Sequence, residues 1–252
     1  MLEFKNVNVS VGRTLILEGI SLSVKTGSIT AVVGPNGCGK TTLLQTLNGT
    51  SKVTAGEIFL DGDDFLSLPV RERARRLSFL PQFRETAPNI SVRGLAEHGR
   101  FPYLGFSRTM MEEDRKAVDS AIEFVSLKEQ KRKLVSELSG GQQQRAYMAM
   151  QLAQDCPVMV LDEPMNFLDF ESQREMLALV KKLKDGGKTV ILVLHDLNQA
   201  LTVADELVVM KDRKIESVST PEEAVKNGVI ERVFNCTVTP VDVSGMVQYL
   251  LT

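Results

Sequence analysis

Nine consecutive residues carry the strongest chemical signal in the chain: Gly34, Pro35, Asn36, Gly37, Cys38, Gly39, Lys40, Thr41 and Thr42. They fit G-x-x-x-x-G-K-[ST], a loop whose glycines let the backbone curl with its N–H groups turned inward onto an anion. In such a loop Lys40 is a point charge for the β- and γ-phosphates of ATP. The Thr41 hydroxyl is a ligand for Mg2+. The flanks agree: Ile29–Val33 is a short apolar run that reads as a buried parallel strand, and Leu43, Leu44 and Leu47 follow at helical spacing. At ordinary residue frequencies a chain of this length meets the pattern by chance on the order of 1% of the time. The loop therefore needs support from elsewhere.

Four later groups supply it, in a fixed order. Gln82 follows the apolar run Leu77–Leu80. Its amide offers a neutral oxygen and a donor, suited to Mg2+ and to an attacking water. Leu138, Ser139, Gly140, Gly141 and Gln142 lead into an amphipathic helix. Two glycines there expose N-terminal N–H groups, the setting for a second anion site, and Ser139 adds a hydroxyl. The apolar run 158–161 ends in Asp162 and Glu163. Asp162 suits Mg2+ held through water, and Glu163 suits a base that orients or deprotonates the attacking water. His195, after a further apolar run, is placed to bond the γ-phosphate and the Glu163 carboxylate. His98, the other histidine, reads as structural.

These groups need a frame. Residues 2–24 alternate as antiparallel strands with turns at Gly12-Arg13 and at Lys25-Thr26-Gly27. Further strands are predicted over 57–60, 77–80, 158–161, 189–194, 206–210 and 214–218. Helices are predicted over 41–47, 66–76, 92–100, 112–125, 142–154, 171–184, 197–204 and 221–234. Residues 83–154 carry mostly helical patterning. The expected organisation is an α/β core of residues 1–82 and 155–220, a helical insert over 83–154 that holds the 138–142 motif, and a C-terminal extension over 221–252 whose tail is weakly patterned.

Composition narrows the class. A chain of 252 residues suits one large α/β domain or two small ones. A net charge of −2 argues against a dedicated nucleic-acid binder. Arg71, Arg73, Arg75 and Arg76, and the run 128–133, read as solvated helix faces or as docking points for an acidic partner. Cys38, Cys156 and Cys236 form no C-x-x-C pair, so neither a disulfide framework nor a zinc site is suggested and a reducing cytoplasm is expected. Met1-Leu2-Glu3-Phe4 lacks the pattern of a secretion signal. No apolar run approaches the roughly 18 residues of a membrane helix, so membrane association is expected to come through a partner.

The order of motifs resembles the ATP-binding cassette family over nearly the whole chain. Gly34 to Thr42 is similar to Walker A, Gln82 to the Q-loop, Leu138 to Gln142 to the signature, and 158–163 to Walker B. Asn166-Phe167-Leu168-Asp169 is similar to the D-loop, and His195 to the H-loop. The resemblance implies a P-loop ATPase core with an inserted helical subdomain and hydrolysis of ATP with Mg2+. It also implies a head-to-tail dimer with a second copy of the chain, in which Ser139 serves the partner's ATP and Asp169 reaches across. Integral-membrane permease subunits, an extracytoplasmic substrate-binding protein and a place on the cytoplasmic face of the membrane come with it. Leu80-Pro81-Gln82, the stretch from His98 to Tyr103, Gly141 to Arg145, His195 to Ala200 and Thr220-Pro221-Glu222-Glu223 resemble the importer branch for iron–siderophore, haem and cobalamin, with a ferric siderophore favoured. A soluble cassette ATPase of iron–sulfur-cluster assembly is the alternative. Two positions depart from the pattern: Val11 stands where an aromatic usually stacks on adenine, and Met165 where threonine is usual.

Overall fold

Continuous apolar runs become parallel strands buried on both faces, and alternating runs become an antiparallel sheet with one wet face. The computed structural model describes residues 1–82, 89–105, 109–243 and 246–252, with backbone only at 242, 243, 246 and 247. In chain order the elements are β1 (Leu2–Val11), β2 (Thr14–Val24), β3 (Ile29–Val33), α1 (Lys40–Asn48), β4 (Val53–Leu60), β5 (Asp63–Asp64), α2 (Val70–Arg76), β6 (Leu77–Leu80), α3 (Val92–His98), α4 (Glu112–Phe124), α5 (Gly140–Ala153) and β7 (Val158–Asp162). There follow α6 (Phe170–Asp185), β8 (Thr189–Val193), α7 (Leu197–Val203), β9 (Glu206–Lys211), β10 (Lys214–Ser219), α8 (Pro221–Lys226), α9 (Val229–Phe234), β11 (Val238–Val243) and β12 (Met246–Leu251). They form two compact units, residues 1–68 with 184–252, and residues 69–183.

The first unit holds both sheet types. β1 pairs antiparallel with β2 and β4. β3 lies between β8 and β9, parallel to both, and β10 closes antiparallel on β9. All five residues of β3 and of β8 are buried. In the antiparallel pair the apolar parity switches: Leu2 and Phe4 are buried, then Val7 and Val9, and opposite them Leu17, then Ile20, Leu22 and Val24. The register shifts there, and Asn6 and Gly19 take positive φ of 50° and 61°. An extra residue in each strand turns the later apolar side chains back to the core.

The second unit pairs β6 and β7 in parallel, Leu77 opposite Val158 through Leu80 opposite Leu161. Between them the described residues form α3, α4, α5 and two short 3-10 turns, with one isolated bridge, Ser91 to Leu134. Val92, Leu95, Val118, Ile122, Ala146 and Ala149 build this unit's helical core. A Cβ on Gly99 would lie 2.1 Å from the Met150 carbonyl oxygen, so α3 closes on α5 only with glycine there. Next to it Arg100 is buried. Its Nε donates to Asp114 Oδ1 at 2.9 Å, its Nη1 donates to the Ala153 carbonyl at 2.8 Å, and the guanidinium covers the Tyr103 ring at 3.9 Å. His98 packs edge-on against Phe101.

Three expectations are corrected. The helix expected over 66–76 begins only at Val70, because Pro69 disfavours the helical conformation in the residue before it. The helix expected over 221–234 is two, interrupted at Gly228 with φ 62°. The weakly patterned tail contains an antiparallel pair of strands, β11 and β12, whose strict alternation is broken by Pro240 opposite Tyr249. Residues 83–88 and 106–108 of the expected insert lie outside the described residues.

Candidate functional site

Ligands of α/β sheets gather at the carboxyl ends of parallel strands. Each unit brings part of the predicted constellation to such an end.

In the first unit β3 runs into the phosphate loop and the loop into α1. Gly37 and Gly39 take φ of 79° and 106°, a region L-residues with side chains rarely enter. Gly34 is required for space: a Cβ there would lie 2.3 Å from the Met210 carbonyl oxygen and 2.7 Å from Cys38 Sγ. Gly39 is left-handed at the position just before α1, so the first N–H groups of the helix open toward the loop. Lys40 is 5% exposed, and its Nζ donates to the Gly34 and Pro35 carbonyls at 2.7 and 3.1 Å. The ammonium is thus fixed over the loop by the loop itself. Burial raises the Cys38 thiol, which outweighs the neighbouring Lys40 charge and keeps the sulfur protonated. Thr41 and Thr42 open α1 and are half-buried, while Pro35 and Asn36 form the turn of the loop. Leu194 N–H donates to the Val32 carbonyl at 3.4 Å, so the exposed His195 leaves β8 at the end where β3 enters the loop. Val11 is 65% exposed beside the turn between β1 and β2.

In the second unit Leu80 and Leu161 are paired, so the residues after them emerge side by side. Gln82 Nε2 donates to Glu163 Oε2, and Asn166 Nδ2 donates to the same oxygen. Glu163 is 6% exposed with φ 51°, a left-handed glutamate held in a turn closed by the Asn166 N–H on its carbonyl. Asn166 is the site residue that motif reading left without a role. The signal was present: an asparagine three residues after Glu163 can bond back across a turn. Asp162 is buried at the end of β7, where a carboxylate is costly without a cation or donors. Asp162, Gln82 and Thr41, the three residues expected at Mg2+, all offer oxygen donors, the type that ion takes.

The 138–142 motif caps α5. Ser139 Oγ accepts from Gln142 N–H at 3.3 Å and Gln142 Oε1 accepts from Ser139 N–H at 3.2 Å, a closed capping box. Leu138 is buried, with its carbonyl accepting from Gln143 Nε2. Gly140 has open space where a Cβ would stand, whereas one on Gly141 would lie 2.2 Å from Ser172 Oγ. Ser172 in turn ties down Asp169, whose Oδ1 accepts from Ser172 N–H at 2.8 Å and Oδ2 from its hydroxyl at 3.2 Å. Those two bonds hold the Asp169 carboxyl below the usual carboxylate range. Asp169 therefore caps α6 of its own chain.

A glycine-lined phosphate loop with a fixed lysine, on a parallel sheet, defines a P-loop nucleotide-binding protein. The comparisons narrow the class. Residues 17–166 match the model of the ABC transporter family. The petrobactin import ATP-binding protein YclP of Bacillus subtilis is 36% identical, covering 94% of each chain. The ferric enterobactin transport ATP-binding protein FepC of Escherichia coli is 36% identical over 96% of this chain and 90% of its own. Among solved structures, the dimeric post-hydrolysis state of the cassette MJ0796 with ADP and Pi superposes with a TM-score of 0.76 at 29% identity, over 88% of this chain and 99% of that one. A metal-chelate type ABC transporter in an inward-facing conformation shares the fold, with a TM-score of 0.86 at 22% identity over the whole of this chain and 97% of that one. This chain belongs to the ABC transporter family and is an ATP-binding, ATP-hydrolysing subunit. The cluster-assembly alternative finds no support in these relatives. No helix among the described residues is long and apolar enough to cross a membrane.

Proposed function

We propose that the chain powers the import of a ferric siderophore, as a homodimer bound at the cytoplasmic face of the membrane to permease subunits that an extracytoplasmic binding protein supplies. The relatives named for petrobactin and enterobactin transport support the cargo class. The observation that carries the catalytic part is Glu163, buried in a left-handed turn with Gln82 and Asn166 on one of its oxygens.

In this reading the loop from Gly34 to Thr42 binds the phosphates of ATP, and Lys40 keeps its charge on the β- and γ-phosphates. Thr41, Gln82 and Asp162 would hold Mg2+. When bound, that ion neutralises charge on the transferring phosphoryl group. Glu163 takes a proton from the attacking water. His195 contacts the γ-phosphate, and Val11 gives an apolar contact to the base. Ser139 and the N-terminus of α5 face the nucleotide of the partner copy. The helical insert over 83–154, together with Gln82, faces the permease. Closure of two copies on two ATP molecules pulls on the permease, and loss of the γ-phosphate contacts lets the pair open.

The test is the Glu163→Gln chain. Removing a general base lowers turnover about 10²–10⁴-fold, with ATP still bound. Turnover at the parental rate would remove Glu163 from the role. The same variant, captured with ATP from detergent-solubilised membranes, should bring down a multi-span permease. Recovery of a soluble scaffold without a membrane protein would overturn the importer reading and leave the ATPase standing.

A further inference from the structure

Gln151 is 4% exposed and lies on α5, nine residues after Gln142 and outside every motif. Its Nε2 donates to the Phe79 carbonyl of β6 at 3.0 Å, and its Oε1 is buried without a partner. A half-satisfied buried amide is costlier than an apolar side chain of the same size. Its presence therefore points to what its one bond holds.

That bond belongs to a small ladder. β6 pairs with β7 along one edge, and α5 meets its other edge. Gln154 Nε2 donates to the Leu77 carbonyl at 3.2 Å and to the Ala74 carbonyl at 2.5 Å. Leu77 and Phe79 are two apart, so their carbonyls face the same edge of the strand. Gln151 and Gln154 are three apart, so their side chains share a face of the helix. The two glutamines stand in for the missing neighbour strand. The pairing of 151 with 79 and of 154 with 77 also sets α5 antiparallel to β6. The capped end of α5 at Ser139 then lies about 18 Å beyond Gln151 in the direction β6 takes toward Gln82.

We propose that Gln151 is a positioning residue: through the Phe79 carbonyl it sets the register between α5, which carries Ser139, and the strand that presents Gln82 to Glu163. The inference rests on the role given above to Gln82. A slip of α5 along β6 breaks this bond first, because the donor has no second acceptor. Gln154 has two carbonyls to move between.

Gln151→Met keeps length and apolar stem, removes the donor, and removes the orphaned oxygen. The chain should fold with an unchanged or raised Tm. Its KM for ATP should stay within about twofold, since the phosphate loop is untouched. Its kcat should fall on the order of tenfold, the scale of a small misplacement of a reacting group. In a Gln82→Ala background the same substitution should cost nothing further. Parental kcat in Gln151→Met with Gln82→Ala impaired would overturn this inference alone. A kcat loss that persists undiminished in the Gln82→Ala background, or that follows a lowered Tm, would assign Gln151 a purely structural role. Parental kcat in Gln82→Ala by itself would sink the reading of Gln82 and this inference with it.

Discussion

The chain has two glycine motifs that open onto helix N-termini, and they are built differently. The loop from Gly34 to Thr42 supplies its own curl and its own charge. Its curl is written in two positive-φ glycines, its close packing in Gly34 against Met210, and its charge in Lys40, which the loop's own carbonyls hold. The motif from Leu138 to Gln142 has no positive φ among its residues and no lysine or arginine of its own. It is a capped helix start whose one crowded glycine, Gly141, faces Ser172 from another element. A loop that concentrates positive charge and donors binds a nucleotide by its own means. A capped helix start adds a partial dipole charge and a hydroxyl, which is enough to complete a site begun elsewhere. That difference supports the proposal that one motif serves the chain's own ATP and the other the partner's.

The largest expected effect breaks the comparison on its first side. Gly34→Ala places a methyl 2.3 Å from a backbone oxygen, a clash no side-chain rotation relieves. ATP affinity should fall more than about tenfold, the effect of roughly 1.4 kcal/mol lost at the phosphates, with a lowered Tm. Titration with a fluorescent ATP analogue reads it, and parental affinity would show that the loop backbone is not the site. Ser139→Ala acts on the second side. It loses the cap, which costs about 1 kcal/mol of stability, and slows turnover, while the affinity of dilute single chains for ATP stays parental. An equal loss of affinity at low protein concentration would place Ser139 on its own chain's nucleotide and erase the distinction.

The smallest effect concerns the scaffold of the second unit. Burial would raise the Asp114 carboxyl, but the Met111 N–H and the Arg100 guanidinium outweigh it and hold it below the ordinary range. A depressed pKa contributes stability above the unfolded value near 3.9 and loses it as pH falls through the folded value. The parent should therefore lose stability below about pH 4 more steeply than Asp114→Asn, although the variant is less stable at neutral pH. Denaturant melts between pH 3 and 7 measure it. Parallel slopes would mean that the ion pair does not differ between folded and unfolded chains.

Motif residues were legible because their work is local. Gly37, Gly39 and Lys40 act within nine residues, and a contiguous pattern specifies both conformation and charge. Buried strands were legible for the same reason, as unbroken apolar runs. The contacts of Asn166 and Gln151 escaped because neither differs by type from a surface amide. Only the place where the chain folds them, against Glu163 and against the edge of β6, gives them a task. The tail escaped because Pro240 interrupts its alternation and its pairing is between strands rather than within one. The helix break at Gly228 escaped because a glycine inside a helical pattern is tolerated often enough to be passed over.

The sequence by itself determined the phosphate-loop pattern at Gly34 to Thr42 and that acids, a glutamine and a histidine follow in the order of a cassette ATPase. Short-range sterics and charge are enough for that, since a glycine's φ range and a lysine's ammonium do not depend on distant residues. The tertiary structure decided which amides meet the Glu163 carboxylate, that Asp169 caps its own helix, and that two glutamines of α5 replace a strand beside β6. Those outcomes depend on the register between segments far apart in the chain, and hydrogen bonds of about 3 Å form only where packing brings donor and acceptor together.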